Sequence, residues 1–283
     1  MPLVTTDNML KKAQEGHWAV GAFNAENMEM VQAIIEAAET LKAPVMIQTT
    51  PGTLKYGSLA LYYANVAAIA RGVKTEVAIH LDHGDTFDLA SRALREGYTS
   101  IMIDGSTLPL AENIALTASV VKFCKPNSIP VEGELGKVGG KEDDTKSSLS
   151  GYTDPAEAKE FVARTNVSSL AVGVGTAHGV YTVTPVLNVD LISTLRGIIQ
   201  VPLVLHGASG LEDDVVRECI KRGIAKVNFA TELRIAYTRA VQAYLEGNPK
   251  TIDPKKYGAP ARDAVRNLVM ERMKVCLCDG KAV

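Results

Sequence analysis

Short apolar, β-branched runs recur along the whole 283-residue chain, and segments of helical period fill the gaps between them. The runs are residues 18–23, 44–49, 77–81, 100–103, 129–131, 169–174, 202–205 and 225–229. Most are continuous rather than alternating, as parallel strands covered on both faces require. Residues 29–41 show the helical counterpart, with Met30, Val31, Ile34, Ile35 and Ala38 on one stripe. Asp154-Pro155 reads as an N-cap followed by a first-turn proline. Residues 213–222 read as a helix closed by Gly223. Eight strands alternating with helices in a chain of this length predict an α/β TIM (β/α)8 barrel. An open doubly wound sheet shares the alternation, but no Gly-rich dinucleotide turn stands out. No repeat, linker or low-complexity tract divides the chain, so residues 1–283 are expected to form a single domain.

Composition narrows the function. The net charge is −2, which gives no electrostatic footprint for nucleic acid or an anionic membrane. No apolar run is long enough to span a bilayer, and the first residues lack the plan of a signal peptide, so a cytoplasmic protein is expected. Cys124, Cys219, Cys276 and Cys278 are too few and scattered for a disulfide framework and read as free thiols. Residues 136–151, rich in Gly, Ser and charge, form the longest irregular stretch and read equally as a lid or as a surface excursion.

Chemistry in a barrel sits at the C-terminal ends of the strands. Read in order, those ends carry Asn24, then Thr49-Thr50, Asp82-His83, Asp104, Glu132 and Glu134, His178, His206 and Asn228. Only five histidines occur, and three of them, His83, His178 and His206, fall at strand ends. Three imidazoles on one rim suit a catalytic zinc, which takes three protein ligands and keeps one position open. His80 lies three residues before His83, so a regular strand would turn the two to opposite faces, and His80 reads as structural. Asp82 reads either as a proton-transfer group or as the N-cap of the following helix. Asp104 suits orientation of a ligand histidine. The turns after strands seven and eight, HGASG and NFAT, offer main-chain N–H groups at the usual phosphate site of this fold.

Together LDHGDTFD (81–88), VEGELGKVGGKEDD (131–144), VGTAHGVY (174–181), PLVLHGASG (202–210) and KVNFATELR (226–234) resemble the class II ketose-bisphosphate aldolases. Within that family the chain is most similar to the tagatose-1,6-bisphosphate aldolase (GatY/KbaY) type, with fructose-1,6-bisphosphate aldolase as the near neighbour. The resemblance extends to the terminal CLCDGKA (276–282) and implies zinc on His83, His178 and His206, with Glu134 as an alternative ligand. It implies Asp82 as proton donor and Glu142, in the 136–151 loop, as the base for proton exchange at the nucleophilic carbon. Asn24, Gly179, Gly207, Ala208, Ser209, Asn228, Phe229, Ala230 and Thr231 would bind the phosphorylated sugar, with a monovalent cation, Na+ or K+, near Gly179 and Gly207. A homodimer or homotetramer is implied, as is a non-catalytic partner subunit of the kind two-component tagatose aldolases contain. Lys141 and Ala230 depart from the fructose-specific pattern, where acids often stand. Lys226 opens strand eight, so a Schiff-base lysine is poorly supported. Other zinc barrels, such as hydrolases, usually show an HxH pair, which is absent. A non-catalytic subunit would lack zinc ligands.

Overall fold

The computed structural model describes residues 3–136, 138–142, 145–147, 151–181 and 185–282. Eight parallel strands close on themselves: β1 (Val20–Asn24), β2 (Val45–Thr49), β3 (Val77–Gly84), β4 (Ser100–Ile103), β5 (Val131–Leu135), β6 (Ser169–Val172), β7 (Leu203–Leu205) and β8 (Ile224–Phe229). Each pairs with its sequence neighbours, and β8 pairs with β1 to complete the ring, with Val20 beside Lys226 and Phe23 beside Phe229. Helices lie between successive strands, so the barrel expected from the strand count is the fold observed.

Local chemistry accounts for the helix starts. Asn27, Thr50, Ser58, Thr86 and Asp154 each accept an N–H bond from the first turn that follows them. The helix Pro155–Thr165 begins where Asp154-Pro155 placed it. The helix Asp213–Lys221 stops before Gly223, whose φ of 125° is open only to glycine at low cost. At the opposite end of the barrel from the strand tips, the helix Thr6–Gly16 covers the opening, and Thr6 Oγ1 donates to Ser100 Oγ at 3.1 Å.

Two boundaries differ from the sequence reading. The fifth strand begins at Val131 and runs to Leu135, so Glu132 and Glu134 lie within it rather than beyond its end. Both are buried, and their charge hid the strand because inward polar residues mimic a turn. Part of the 136–151 stretch is ordered as strand: Gly139–Glu142 pairs antiparallel with Thr145–Ser147 and parallel with Ala177–His178.

Helix Pro254–Val275 lies against Met28–Leu41 and Thr231–Gly247, and Arg272 reaches Asp213 at 2.9 Å. Glu232 sits in this corner, and its Oε1 is buried without a hydrogen-bond partner among the described residues. Burial raises its pKa to about 7: Arg272 opposes the rise, while Asp213 and Glu271 add to it. A carboxyl whose folded pKa exceeds its unfolded value stabilises most at low pH, and that stability is lost as pH rises from about 4.5 to about 7. Glu232→Gln should therefore raise Tm at pH 8 by roughly 2–4 °C for each kcal/mol recovered, with the gain vanishing below about pH 4.5. Thermal melts across that pH range check this, and an equal shift at both ends would contradict it.

Candidate active site

Residues two apart on a strand share a face, so His80 and Asp82 both point into the barrel. Asp82 is fully buried and accepts from Asn24 Nδ2 at 2.8 Å and from Asn228 Nδ2 at 3.2 Å. Gln48 Nε2 in turn donates to Asn24 Oδ1 at 2.9 Å, which commits the Asn24 amide to present its NH2 to Asp82. The N-cap reading of Asp82 does not hold, because Thr86 caps the helix Phe87–Glu96.

Simple alternation would turn His83 outward, away from His80. Instead His83 adopts φ 48°, and the register of β3 with β4 shifts between Leu81 and Gly84. This bulge swings His83 inward, so His80 and His83 both lie inside the barrel and the expectation of opposite faces is corrected. Gly84 is required here, since a Cβ on it would stand 2.6 Å from Met102 O.

The inward turn brings His83 to His206 and His178, with ring centroids 4.7 and 5.0 Å away. One donor atom from each of the three lies within 4.8 Å of the others. Asp104 Oδ2 meets His83 Nδ1 at 2.8 Å and is itself fixed by Ser106 N on Oδ1 at 2.9 Å. That bond points the Nε2 edge of His83 toward the other two rings. His206 Nε2 lies 3.0 Å from Glu132 Oε1, and its Nδ1 lies 3.2 Å from Glu134 Oε2. His83, Asp104 and Glu134 form a second overlapping donor group. It is the poorer one, because His83 and Ser106 already engage Asp104.

The electrostatics fit a cation. His206 Nδ1 and Glu134 Oε2 are buried, and neither makes a well-formed hydrogen bond among the described residues. Atoms of this kind are costly unless a partner is supplied. Burial and the Asp104 charge raise the Glu134 pKa, although His206 and His83 pull it back. Burial would lower His206, but Glu132 and Glu134 outweigh it and push it up to about 9. Three imidazoles beside a carboxylate are the donor chemistry of a catalytic zinc with an open position.

Beside the histidines lies a pocket lined by His178, Gly179, Gly207, Ser209, Asn228, Ala230, Thr231 and Arg234. Gly207 has φ 67°, and a Cβ there would stand 2.6 Å from Ala177 O. Tyr181 OH donates to Gly207 O and accepts from Ala177 N, both at 2.8 Å, locking the loop after β6 to the loop after β7. Ser209 Oγ accepts from Ala230 N at 3.1 Å, and buried Ala208 donates to Asn228 O at 3.3 Å. Phe229 takes no side-chain part: its ring is buried against Phe23, with centroids 5.5 Å apart, on the outer face of the strands.

Arg234, Gln48 and Tyr181 carried no role in the sequence reading. Arg234 follows Thr231 by three positions on one helix, and that spacing signals a shared face. It is held by Glu26 at 2.7 Å. Glu142 belongs by its main chain to the strand beside Ala177–His178, while its side chain lies outside the described residues.

The family model for class II fructose-bisphosphate aldolase matches residues 4–281. Among solved structures, the YdjI aldolase of Escherichia coli K12 is 34% identical, with a TM-score of 0.88, over 99% of this chain and 100% of that one. A Coccidioides immitis protein provisionally assigned as a fructose-1,6-bisphosphate aldolase is 29% identical, with a TM-score of 0.89, over 97% of this chain and 96% of its own. Fructose-bisphosphate aldolase of Campylobacter jejuni shares the fold, with a TM-score of 0.83 at 20% identity over 99% of this chain and 97% of its own. With a metal-type donor set, an amide-held carboxylate and a polar pocket on one barrel rim, this chain belongs to the class II fructose-bisphosphate aldolase family and is a carbon–carbon lyase.

Proposed function

We propose that the chain cleaves a ketose 1,6-bisphosphate, tagatose 1,6-bisphosphate ahead of fructose 1,6-bisphosphate, to dihydroxyacetone phosphate and glyceraldehyde 3-phosphate. The observation that carries this reading is the convergence of His83, His178 and His206, whose donor atoms lie within 4.8 Å of one another, with the fully buried Asp82 directly preceding His83 on the same strand. These histidines would hold one zinc ion, with Glu134 as a ligand in reserve. Bound zinc supplies Lewis acidity toward the substrate carbonyl.

The remaining work belongs to the chain. Asp82 moves the proton at the aldehyde-derived oxygen, and Asn24 and Asn228 fix the direction of its carboxyl. The turns at residues 207–209 and 229–231 would form the phosphate site, with Gly207, Ser209 and Thr231 lining it opposite Gly179, while the Ala208 and Ala230 N–H groups, engaged by Asn228 O and Ser209 Oγ, hold the two turns together. Arg234 brings a guanidinium to the same pocket. Gly179 and Gly207 would seat a monovalent cation. Phosphate binding remote from the reacting carbons spends its energy on orientation. Glu142 would exchange the proton at the nucleophilic carbon when its segment lies over the site. Ala230 stands where fructose-specific relatives often carry Asp, which weakens the fructose assignment. A homodimer or homotetramer, and a non-catalytic partner subunit, belong to the same reading.

His206→Ala should lower bound zinc and cleavage together, and chelation should abolish wild-type turnover, which added zinc restores. Metal analysis beside an assay on both bisphosphates checks this; full turnover in chelator would sink the metal mechanism. Equal rates on both sugars would remove the tagatose preference. Asp82→Asn should retain zinc and lose about 10²–10⁴-fold in kcat. An unchanged kcat would remove Asp82 from proton transfer.

A further inference from the structure

Beneath the histidine cluster, the barrel interior holds a lysine and a glutamate that the proposed reaction does not use. Lys226 is fully buried, and its Nζ lies 2.9 and 3.1 Å from the two oxygens of Glu132. His80 Nε2 is 3.5 Å from the same ammonium, and His80 Nδ1 is 2.8 Å from Ser100 Oγ, which also accepts from Thr6. Glu132 Oε2 takes a further contact from Ser169 Oγ at 3.4 Å. Its other oxygen, Oε1, faces His206 Nε2 at 3.0 Å.

We infer that Lys226 and Glu132 are positioning residues that commit His206 to offer Nδ1 to the metal. A neutral imidazole carries its one proton on Nδ1 or on Nε2, and only the bare nitrogen can ligate. Glu132 as a carboxylate is acceptor-only, and the bidentate ammonium of Lys226 keeps it so. When His206 carries one ring proton, Glu132 at 3.0 Å takes it on Nε2, and the Nδ1 lone pair faces the position shared by His83, His178 and Glu134 Oε2, the reserve ligand 3.2 Å away. Carboxylates that hold a ligand imidazole in this way typically change metal affinity by 10–100-fold when removed. The inference rests on the functional reading above, because it takes His206 to be a ligand.

Glu132→Gln tests the logic without changing volume. Its amide has one accepting and one donating end. Lys226 claims the oxygen, so the NH2 faces His206 Nε2 and forces the ring proton onto Nδ1. Cobalt(II) or zinc affinity, measured by chelator competition, should fall roughly 10–100-fold in this variant, and the cobalt visible spectrum should change. Adding Lys226→Met removes the claim on the amide oxygen, lets the amide turn over, and should recover most of that affinity. Rescue by a second, charge-removing change is an outcome that a merely structural role would not give.

Wild-type affinity in the Glu132→Gln variant, or a double variant no tighter than the single one, overturns the inference. Should the double variant fail to fold, the imidazole 15N–1H spectrum of the single variant decides instead. It is read in buffer alkaline enough to leave His206 one ring proton. A proton on Nδ1 in Glu132→Gln and on Nε2 in wild type supports the inference, and the same tautomer in both overturns it. Failure of the wild-type protein to bind cobalt or zinc at all would sink the functional reading and this inference with it. Tight wild-type binding with an unperturbed Glu132→Gln sinks the inference alone.

Discussion

Glu132 and Lys226 are buried together in the barrel, and burying one without the other would cost several kcal/mol. Burial alone would raise the Glu132 pKa, yet the Lys226 ammonium and the His206 ring outweigh it and hold the carboxyl well below the usual range. The same ammonium adds to burial in lowering the pKa of His80, which suits its role as a neutral acceptor under the site. TIM barrels usually fill their interior with layers of branched apolar side chains. Here the layer below the site is polar instead, and each member needs a partner. The positions of His206 and Glu134 above that layer follow from where those partners sit.

Apolar packing has moved to the outside of the strands to compensate. Val227 and Phe229 on β8 and Phe23 on β1 face the helices, and each is fully buried there. Strands of this kind present an apolar row outward and a polar row inward. The outward row made β1, β2, β3 and β4 legible in the sequence, because their continuous or near-continuous apolar character resembles that of any parallel strand. It failed for β5, where VEGEL places two acids in the inward row and looks like a turn. The eight-strand count survived because the flanking helices also carried their own signals, such as the Asp154 cap.

The site was legible to the extent that its residues stand at strand ends. His83, His178, His206, Asp104 and Asn24 could be read because their chemistry and their position agree. Gln48, Lys226 and Arg234 could not, for different reasons. Gln48, on β2, acts on Asp82 of the adjacent β3 through Asn24 of β1, and no spacing along the chain encodes that relay. Lys226 in sequence suggests at most a nucleophile, whereas its buried bond to Glu132 makes it an electrostatic support. Arg234 stands on a helix, one turn past the strand end where barrel chemistry is expected.

Asp82 and His83 show why the backbone bend in β3 matters to the chemistry. On a regular strand, neighbours in sequence face opposite ways, so one strand could supply a proton carrier or a metal donor but not both from adjacent positions. The left-handed conformation at His83 removes that restriction at a cost of roughly 1–2 kcal/mol. Asp104 contributes to holding the bend, since its N–H donates to Gly84 O at 2.8 Å while its carboxylate holds the His83 ring. One residue thus fixes both the turned main chain and the side chain that the turn delivers. Strained backbone of this kind persists only where its surroundings over-determine it. Here they do so through a glycine that admits the close approach of β4 and an aspartate that grips both sides of the bend. The carboxylate proposed to move a proton and the imidazole proposed to ligate the metal therefore reach the same cavity from consecutive residues, each with its own dedicated hydrogen-bond partners.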